Sequence, residues 1–263
     1  MASFQSNLNI TFIGTATAIL QIDGVTLITD PFFSPSGTEW DRGVIVLKND
    51  IAPALGLQDL PVIDAVLLSH EDHPDNLDEL GGRLLDGRKV LTTMDGAKKL
   101  APRPGVRGMA PWETTSLQLG GRTFQVTATP CLHFPGGECT GFIITATWFG
   151  ETGGLPNAIY FSGDTVYMEE LVEMRNKFHI SVALLNLGVA SVPVGDPPLQ
   201  ITMDGKQAAK LFREIGADIL VPMHYDGWGH FAEGGDQLAK VFASEGIEDK
   251  VCWLTPGASK KIF

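Results

Sequence analysis

The sequence predicts an α/β fold with two mixed sheets inside and helices outside. Three features carry that expectation. Strands come early and in hairpin order, with apolar runs at 18–22 and 25–29 flanking Asp23-Gly24. Later, strand-like runs alternate with amphipathic helical segments, the pattern of layered α/β architectures. No low-complexity linker divides the 263 residues, so a single domain over 1–263 is expected.

The elements follow in order. Residues 9–12 read as a first strand. A two-residue Asp-Gly link between apolar runs marks a type I′ hairpin, because both positions need positive φ. Asp30-Pro31 stops the second arm, and residues 32–61 carry no period. Such a long irregular excursion in a compact domain is often functional. The apolar run at 65–69 reads as a strand buried on both faces. Residues 77–85 are weakly helical, 89–92 strand-like, and 95–100 a short helix. The β-branched residues at 123–129 and 141–149 predict strands, with a glycine-rich hairpin loop at 150–154. A strand at 158–161, a helix at 166–178 and a buried strand at 182–187 come next. Ala208, Leu211, Phe212 and Ile215 repeat at helical spacing. A strand at 219–221 leads to a last helix marked by Leu238, Val241 and Phe242, and a run at 251–254 closes the chain.

Composition narrows the function classes. A hydrophobic content of 44% with 19% charged residues is ordinary for a globular protein. The net charge of −12 opposes binding to nucleic acid and to anionic membranes. The expected partner is therefore a small-molecule substrate, with no nucleic acid and no membrane, and a homo-oligomer stays open. An anionic substrate is not excluded, because bound cations invert the local field. Three cysteines without a CxxC pair argue against a disulfide framework and for a reducing compartment. The opening residues lack a basic segment and an apolar one, and no run is long enough to span a bilayer, so the cytoplasm is expected.

Five of the six histidines lie in short polar runs that end apolar strands. The densest is Ser69-His70-Glu71-Asp72-His73-Pro74-Asp75-Asn76. Cys131-Leu132-His133, Ser162-Gly163-Asp164 and Met223-His224-Tyr225-Asp226 follow. Neutral imidazole and carboxylate are the ligands of hydrolytic Zn²⁺ or Mn²⁺ sites. The candidates are His70, Asp72, His73, Asp75, His133, Asp164 and His224.

Singly, each has a plain structural explanation. Asp164 can cap a helix, Asp72 and Asp75 can be turn residues, and Cys131 can be a small buried hydrophobe. Jointly, four separate strand ends bearing ligand types point to one metal site. His230, on a glycine-flanked loop, is expected to reach the pocket without ligating. There it binds an oxyanion or protonates a leaving group, or else merely packs on Trp228. His179 is assigned no function, and Asp204-Gly205-Lys206 reads as an ordinary helix start.

These residues carry a resemblance. The chain resembles the metallo-β-lactamase superfamily, in the branch that includes ascorbate-6-phosphate lactonase and N-acylphosphatidylethanolamine phospholipase D. Phe12-Ile13-Gly14-Thr15-Ala16-Thr17, Thr29-Asp30-Pro31, Leu68-Ser69-His70, Ser162-Gly163-Asp164-Thr165 and Pro222-Met223-His224 carry it, in order, over nearly the whole chain. It implies a four-layer αββα sandwich with the site at the edge between the two sheets. The family pattern is His-x-His-x-Asp-His, whereas this chain has His70-x-x-His73-x-Asp75-Asn76. In one alignment a residue is inserted and Asn76 replaces the last His. His70, His73 and His133 then form a first metal site, and Asp75, Asp164 and His224 a second. In another, Asp72-His73 supplies the second-site pair and Leu68 replaces the first His. Either way one ligand is lost, so the expected cofactor is Zn²⁺ as one or two ions, with Mn²⁺ or another divalent cation open.

The expected function is a metal-dependent hydrolase of a small organic ester, lactone or amide, acting through a metal-bound hydroxide. Asp75 and His230 are the expected catalytic groups, one or the other delivering a proton to the leaving group. The aromatic residues Phe32, Phe33, Trp40, Phe134, Trp228 and Phe231 suggest a substrate with a hydrophobic part. The alternatives are a small phosphodiester hydrolase on the same fold and a metal-poor relative that binds a ligand without turning it over.

Overall fold

Two seven-stranded sheets face each other across the main apolar core in the computed structural model, which describes residues 4–43 and 46–263. The opening segment read as lacking a signal peptide includes residues 1–3, which lie outside the described residues, as do 44 and 45 within the early excursion.

The first sheet runs Ser259–Lys261, Leu8–Gly14, Thr17–Ile22, Val25–Thr29, Ala65–Leu67, Lys89–Thr93 and Val106–Met109. Its last four strands are mutually parallel. The second runs Ile219–Met223, His179–Asn186, Leu155–Phe161, Thr140–Thr145, Arg122–Pro130 and Thr114–Leu119, with Glu151–Thr152 hairpinned onto Leu155–Phe161. Its first three strands are parallel.

Strand alternation sorts the side chains into layers. Val182 and Leu184 point into the core between the sheets, while Ala183 and Leu185 point outward. That outer face is covered by helices Gly205–Glu214 and Gly235–Ser244 through Leu211, Phe212, Leu238 and Phe242. Likewise Ala65 and Leu67 face inward, while Val66 and Leu68 join an outer cluster with Leu84 and Leu85. The result is the αββα order expected. No helix among the described residues is long and apolar enough to cross a membrane.

Local predictions meet the structure unevenly. Asp23 and Gly24 take φ of 48° and 87°, as the tight hairpin requires. Asp204 caps its helix by accepting from the Gln207 N–H at 2.7 Å. The expected helix at 166–178 is instead a 3₁₀ segment, Glu169–Asn176, whose buried Leu171 and Met174 are three residues apart. That spacing fits the three-residue turn of a 3₁₀ helix. The strand expected to run on to 149 ends at Thr145, and Thr147–Phe149 forms a 3₁₀ turn. The run at 251–254 makes a single bridge from Val251 to Leu220, and the last strand is Ser259–Lys261. That strand is exposed throughout, so no apolar pattern announced it. Within the excursion, Glu39–Asp41 pairs with Val46–Lys48. Its order comes from Trp40, whose ring lies 6.1 Å from Phe32 and 5.4 Å from Trp228.

Candidate metal centre

The candidate ligands converge at one edge of both sheets, most of them where parallel strands end, the usual place for a site in α/β folds. Each is delivered by a local device. Ala65–Leu67 leads to Ser69, whose N–H and hydroxyl both donate to the carboxylate of Asp30, at 2.6 and 2.7 Å. His70 Nδ1 lies 2.8 Å from the Ser69 oxygen. Because that hydroxyl is committed to Asp30, the imidazole donates to it and leaves Nε2 as the free lone pair. His70 Nε2 is buried with no hydrogen-bond partner. His133 follows Arg122–Pro130 and sets its Nδ1 2.8 Å from the Ile201 carbonyl. A carbonyl only accepts, so Nδ1 carries the proton and Nε2 again faces the site.

Asp164 follows Leu155–Phe161 through Gly163, which has φ of 58°. A Cβ there would stand 2.5 Å from the Thr140 carbonyl oxygen, so the turn demands glycine. Asn186 Nδ2 donates to Asp164 Oδ1 at 2.7 Å and fixes the carboxylate. His224 ends Ile219–Met223 in a left-handed conformation, φ 58°, with its N–H donating to the Thr15 carbonyl at 2.9 Å.

Two clusters result. His70, His73 and His133 form one, and Asp75, Asp164 and His224 the other. In each, the ligand atoms lie within 4.8 Å of one another. The three rings of the first are 4.9–5.1 Å apart between centroids, and His133 Nε2 is 3.1 Å from His73 Nδ1. Each cluster joins residues after Ala65–Leu67 to residues carried by the opposite sheet.

Asp72 is not in either cluster. It faces Lys99 at 3.7 Å, beside the Glu71–Lys99 pair at 2.7 Å, while Asp75 is almost fully buried among the ligands. This arrangement corresponds to the alignment in which Asn76 replaces an imidazole. Asn76 Nδ2 donates to Asp30 Oδ2 at 2.9 Å, and its Oδ1 is buried without a partner. His230 sets Nε2 3.8 Å from Asp75 Oδ2. His179 pairs with Asp218 at 2.7 Å, away from the clusters.

The electrostatics of the two clusters differ. Burial, and then the neighbouring imidazoles His73 and His133, hold His70 well below its ordinary value. Burial also lowers His133. Both are therefore neutral and ready to bind a cation. Burial lowers His224 too, but the Asp164 and Asp75 carboxylates outweigh it and hold His224 up at about 9. Burial resists the ionisation of Asp75, yet His224 beside it keeps that carboxyl well below the carboxylate range. Burial, then the charge of Asp164, pushes Asp30 up to about 8.

Asp75 and Asp164 together in one dry corner call for positive charge. His224 Nε2 lies 3.4 and 3.5 Å from Asp75 and Asp164 Oδ2, but neither contact has hydrogen-bond alignment. Free imidazole nitrogens and unneutralised carboxylates facing one another fit divalent cations.

The clusters open into a cavity of about 380 Å³ lined mainly by apolar groups, among them Leu47, Phe134, Val192, Val194 and Ile201, with Arg42 at one side. The irregular excursion at 32–61 contributes Arg42 and Leu47 to this wall, and the later segment 193–202 contributes Val194 and Ile201. Of the aromatic residues singled out, Phe134 lines the cavity, and Phe231 packs on His224 and His230 at 4.6 and 4.7 Å. Phe32, Trp40 and Trp228 pack on one another, and Phe33 belongs to the outer core.

Sequence reasoning missed Asn186 and Cys139, whose Sγ is 3.6 Å from His70 Nδ1. It had read Asp30 and Ser69 only as motif residues. A short polar residue after a buried strand is too common a signal to single them out.

The sequence profile of the beta-lactamase superfamily domain matches residues 26–225. A metal-dependent hydrolase of Methanosarcina mazei is 27% identical over 97% of this chain and 98% of its own. An uncharacterised protein of Mycobacterium tuberculosis is 28% identical over 86% of this chain, which spans 60% of that relative's length. The crystal structure of an isothiocyanate hydrolase from Delia radicum gut bacteria superposes with a TM-score of 0.77 at 22% identity, covering 96% of this chain and 98% of that one.

Proposed function

The chain belongs to the beta-lactamase superfamily, and on that premise we propose that it is a metal-dependent hydrolase of a small organic ester, lactone or amide. The observation that carries this reading is the pair of adjoining ligand clusters at the floor of an apolar cavity. The name of the Methanosarcina relative supports the reaction class.

His70, His73 and His133 would hold one cation, and Asp75, Asp164 and His224 a second. Bound divalent cations supply Lewis acidity and an activated water. The chain's own residues then position the reaction. Asp75, kept ionised by its surroundings, accepts a hydrogen bond from the attacking water and holds it on the cavity side. Asn186 keeps Asp164 turned toward His224. The wall of Leu47, Phe134, Val192, Val194 and Ile201 excludes bulk water and takes the hydrophobic part of the substrate. Arg42, whose Nη2 donates to the Asp72 carbonyl at 2.6 Å, is held at the rim where a polar substrate group would lie.

Protein loaded with Zn²⁺ or Mn²⁺ and offered chromogenic esters, lactones and bis-phosphodiesters tests this. Turnover of carbonyl substrates, lost in His133→Ala and Asp164→Ala with the fold retained, is the expected result. Turnover confined to phosphodiesters overturns the substrate class. Turnover that survives both substitutions overturns the site.

A further inference from the structure

We propose that His230 is the fourth protein ligand of the second cation, taking over the coordination that Asn76 gave up. This rests on the metal-centre reading above and revises the expectation that His230 stays out of coordination.

The Asp75–Asp164–His224 cluster supplies three donors, and the family pattern places a further imidazole at the position of Asn76. The amide nitrogen of Asn76 is spent on Asp30. An amide oxygen is also a weaker donor than imidazole to a borderline cation such as Zn²⁺.

His230 lies beside the same cluster, six residues beyond His224. Its Nε2 is 3.8 Å from Asp75 Oδ2, and its side chain is 12% exposed. Its Nδ1 is buried with no hydrogen-bond partner, and the Asp75 carboxylate is the charged group that Nε2 meets. At 3.8 Å that contact is too long for a hydrogen bond, so the Nε2 lone pair stays open to a cation.

The ring is also held in place. It lies 4.7 Å from Phe231, which packs on His224 at 4.6 Å, and 5.8 Å from Trp228. Trp228 is anchored through Nε1, which donates to Thr15 Oγ1 at 2.9 Å. His224 and His230 therefore both pack against one phenyl ring, and both set Nε2 near Asp75 Oδ2. A rigid aromatic mount of this kind holds the ring where a ligand is needed.

The test is metal binding. Zn²⁺ titration by calorimetry, with Co²⁺ absorption as a second readout, is applied to the wild type, His230→Phe and His133→Ala. Two ions are expected for the wild type. In His230→Phe the first ion should bind as before. The second should weaken by more than the ~10–100-fold worth of an outer-shell partner. His133→Ala should lose the first ion instead.

An unchanged second-ion affinity in His230→Phe overturns the proposal while leaving the metal centre intact. Failure of the wild type to bind metal overturns the centre itself. If His230→Phe does not fold, the wild type labelled with ¹⁵N-histidine decides. The His230 Nε2 resonance should move to the metal-bound range on adding Zn²⁺, and a resonance that stays in place overturns the proposal.

Discussion

Ser69 gives both its backbone N–H and its hydroxyl to the carboxylate of Asp30, a residue 39 positions earlier, at 2.6 and 2.7 Å. The same hydroxyl receives His70 Nδ1 at 2.8 Å. The carboxylate therefore sets the tautomer of a candidate ligand it never touches. Asp30→Asn should scramble this relay, because an amide can donate as well as accept. Affinity for the first ion should fall ~10–100-fold, as for other outer-shell partners of metal-bound histidine. Calorimetric Zn²⁺ titration checks it, with circular dichroism to show that the fold persists.

Asp72 and Asp75 separate cleanly by geometry, and their variants should separate by metal content. Asp75→Ala removes a ligand of the second cluster and should leave the protein with about one equivalent of metal where two are expected. Asp72→Ala should keep the wild-type metal content, since its carboxylate faces Lys99. Elemental analysis of protein purified without chelator reads both. The inverse result would favour the alignment that pairs Asp72 with His73.

Metal uptake should release a proton. In the metal-free protein His224 is held up at about 9 and so carries a proton at neutral pH. A cation must displace it. Affinity for the second ion should therefore rise with pH up to about 9 and level off above it. The sign for metal-free stability is opposite. The raised value stabilises the fold fully below 6.5, and that contribution is lost as pH climbs through about 9. Calorimetry in buffers of different ionisation enthalpy counts the proton, and melting curves across the same range test the second statement.

Gly163 should tolerate no side chain. Gly163→Ala imposes a left-handed conformation, worth about 1–3 kcal/mol, on a residue with a Cβ. It also drives that Cβ against the Thr140 carbonyl. Stability should drop by at least that much in denaturant titration, and Asp164 should lose its place in the second cluster. Retention of wild-type metal content would refute the second part.

Chelation separates an enzyme from a metal-poor ligand binder. Treatment with EDTA should abolish hydrolysis, and added Zn²⁺ or Mn²⁺ should restore it. Purified protein that holds no metal and still binds an apolar ligand would decide for the binder.

What the sequence shows of this fold follows from how far each signal is local. The Asp23-Gly24 hairpin and the buried strand ending in Leu67 are written in adjacent residues, so turn chemistry and apolar runs reveal them. Leu117 and Leu119 alternate with exposed Ser116 and Gln118 in a plain two-residue period, so the strand Thr114–Leu119 was legible and passed over. The hairpin at Glu39–Asp41 depends on Trp40 meeting Trp228, nearly two hundred positions away, which no window of sequence contains. The ligand types were legible because strand ends carrying His or Asp recur. The different placements of Asp75, buried in a cluster, and Asp72, facing Lys99, are not written in the sequence, because a one-residue insertion shifts the frame and both carboxylates fit the chemistry.

Each cluster recruits side chains from both halves of the sandwich: His70 and His73 with His133, and Asp75 with Asp164 and His224. A cation bound at either place is thus a removable rivet across the seam, closing chain loops that no disulfide closes. Such a rivet adds stability in proportion to occupancy, ~2.7 kcal/mol when free metal stands a hundredfold above its dissociation constant. Withdrawal of metal should then unzip this edge first, so that the protein's persistence, and not just its chemistry, follows the supply of metal around it.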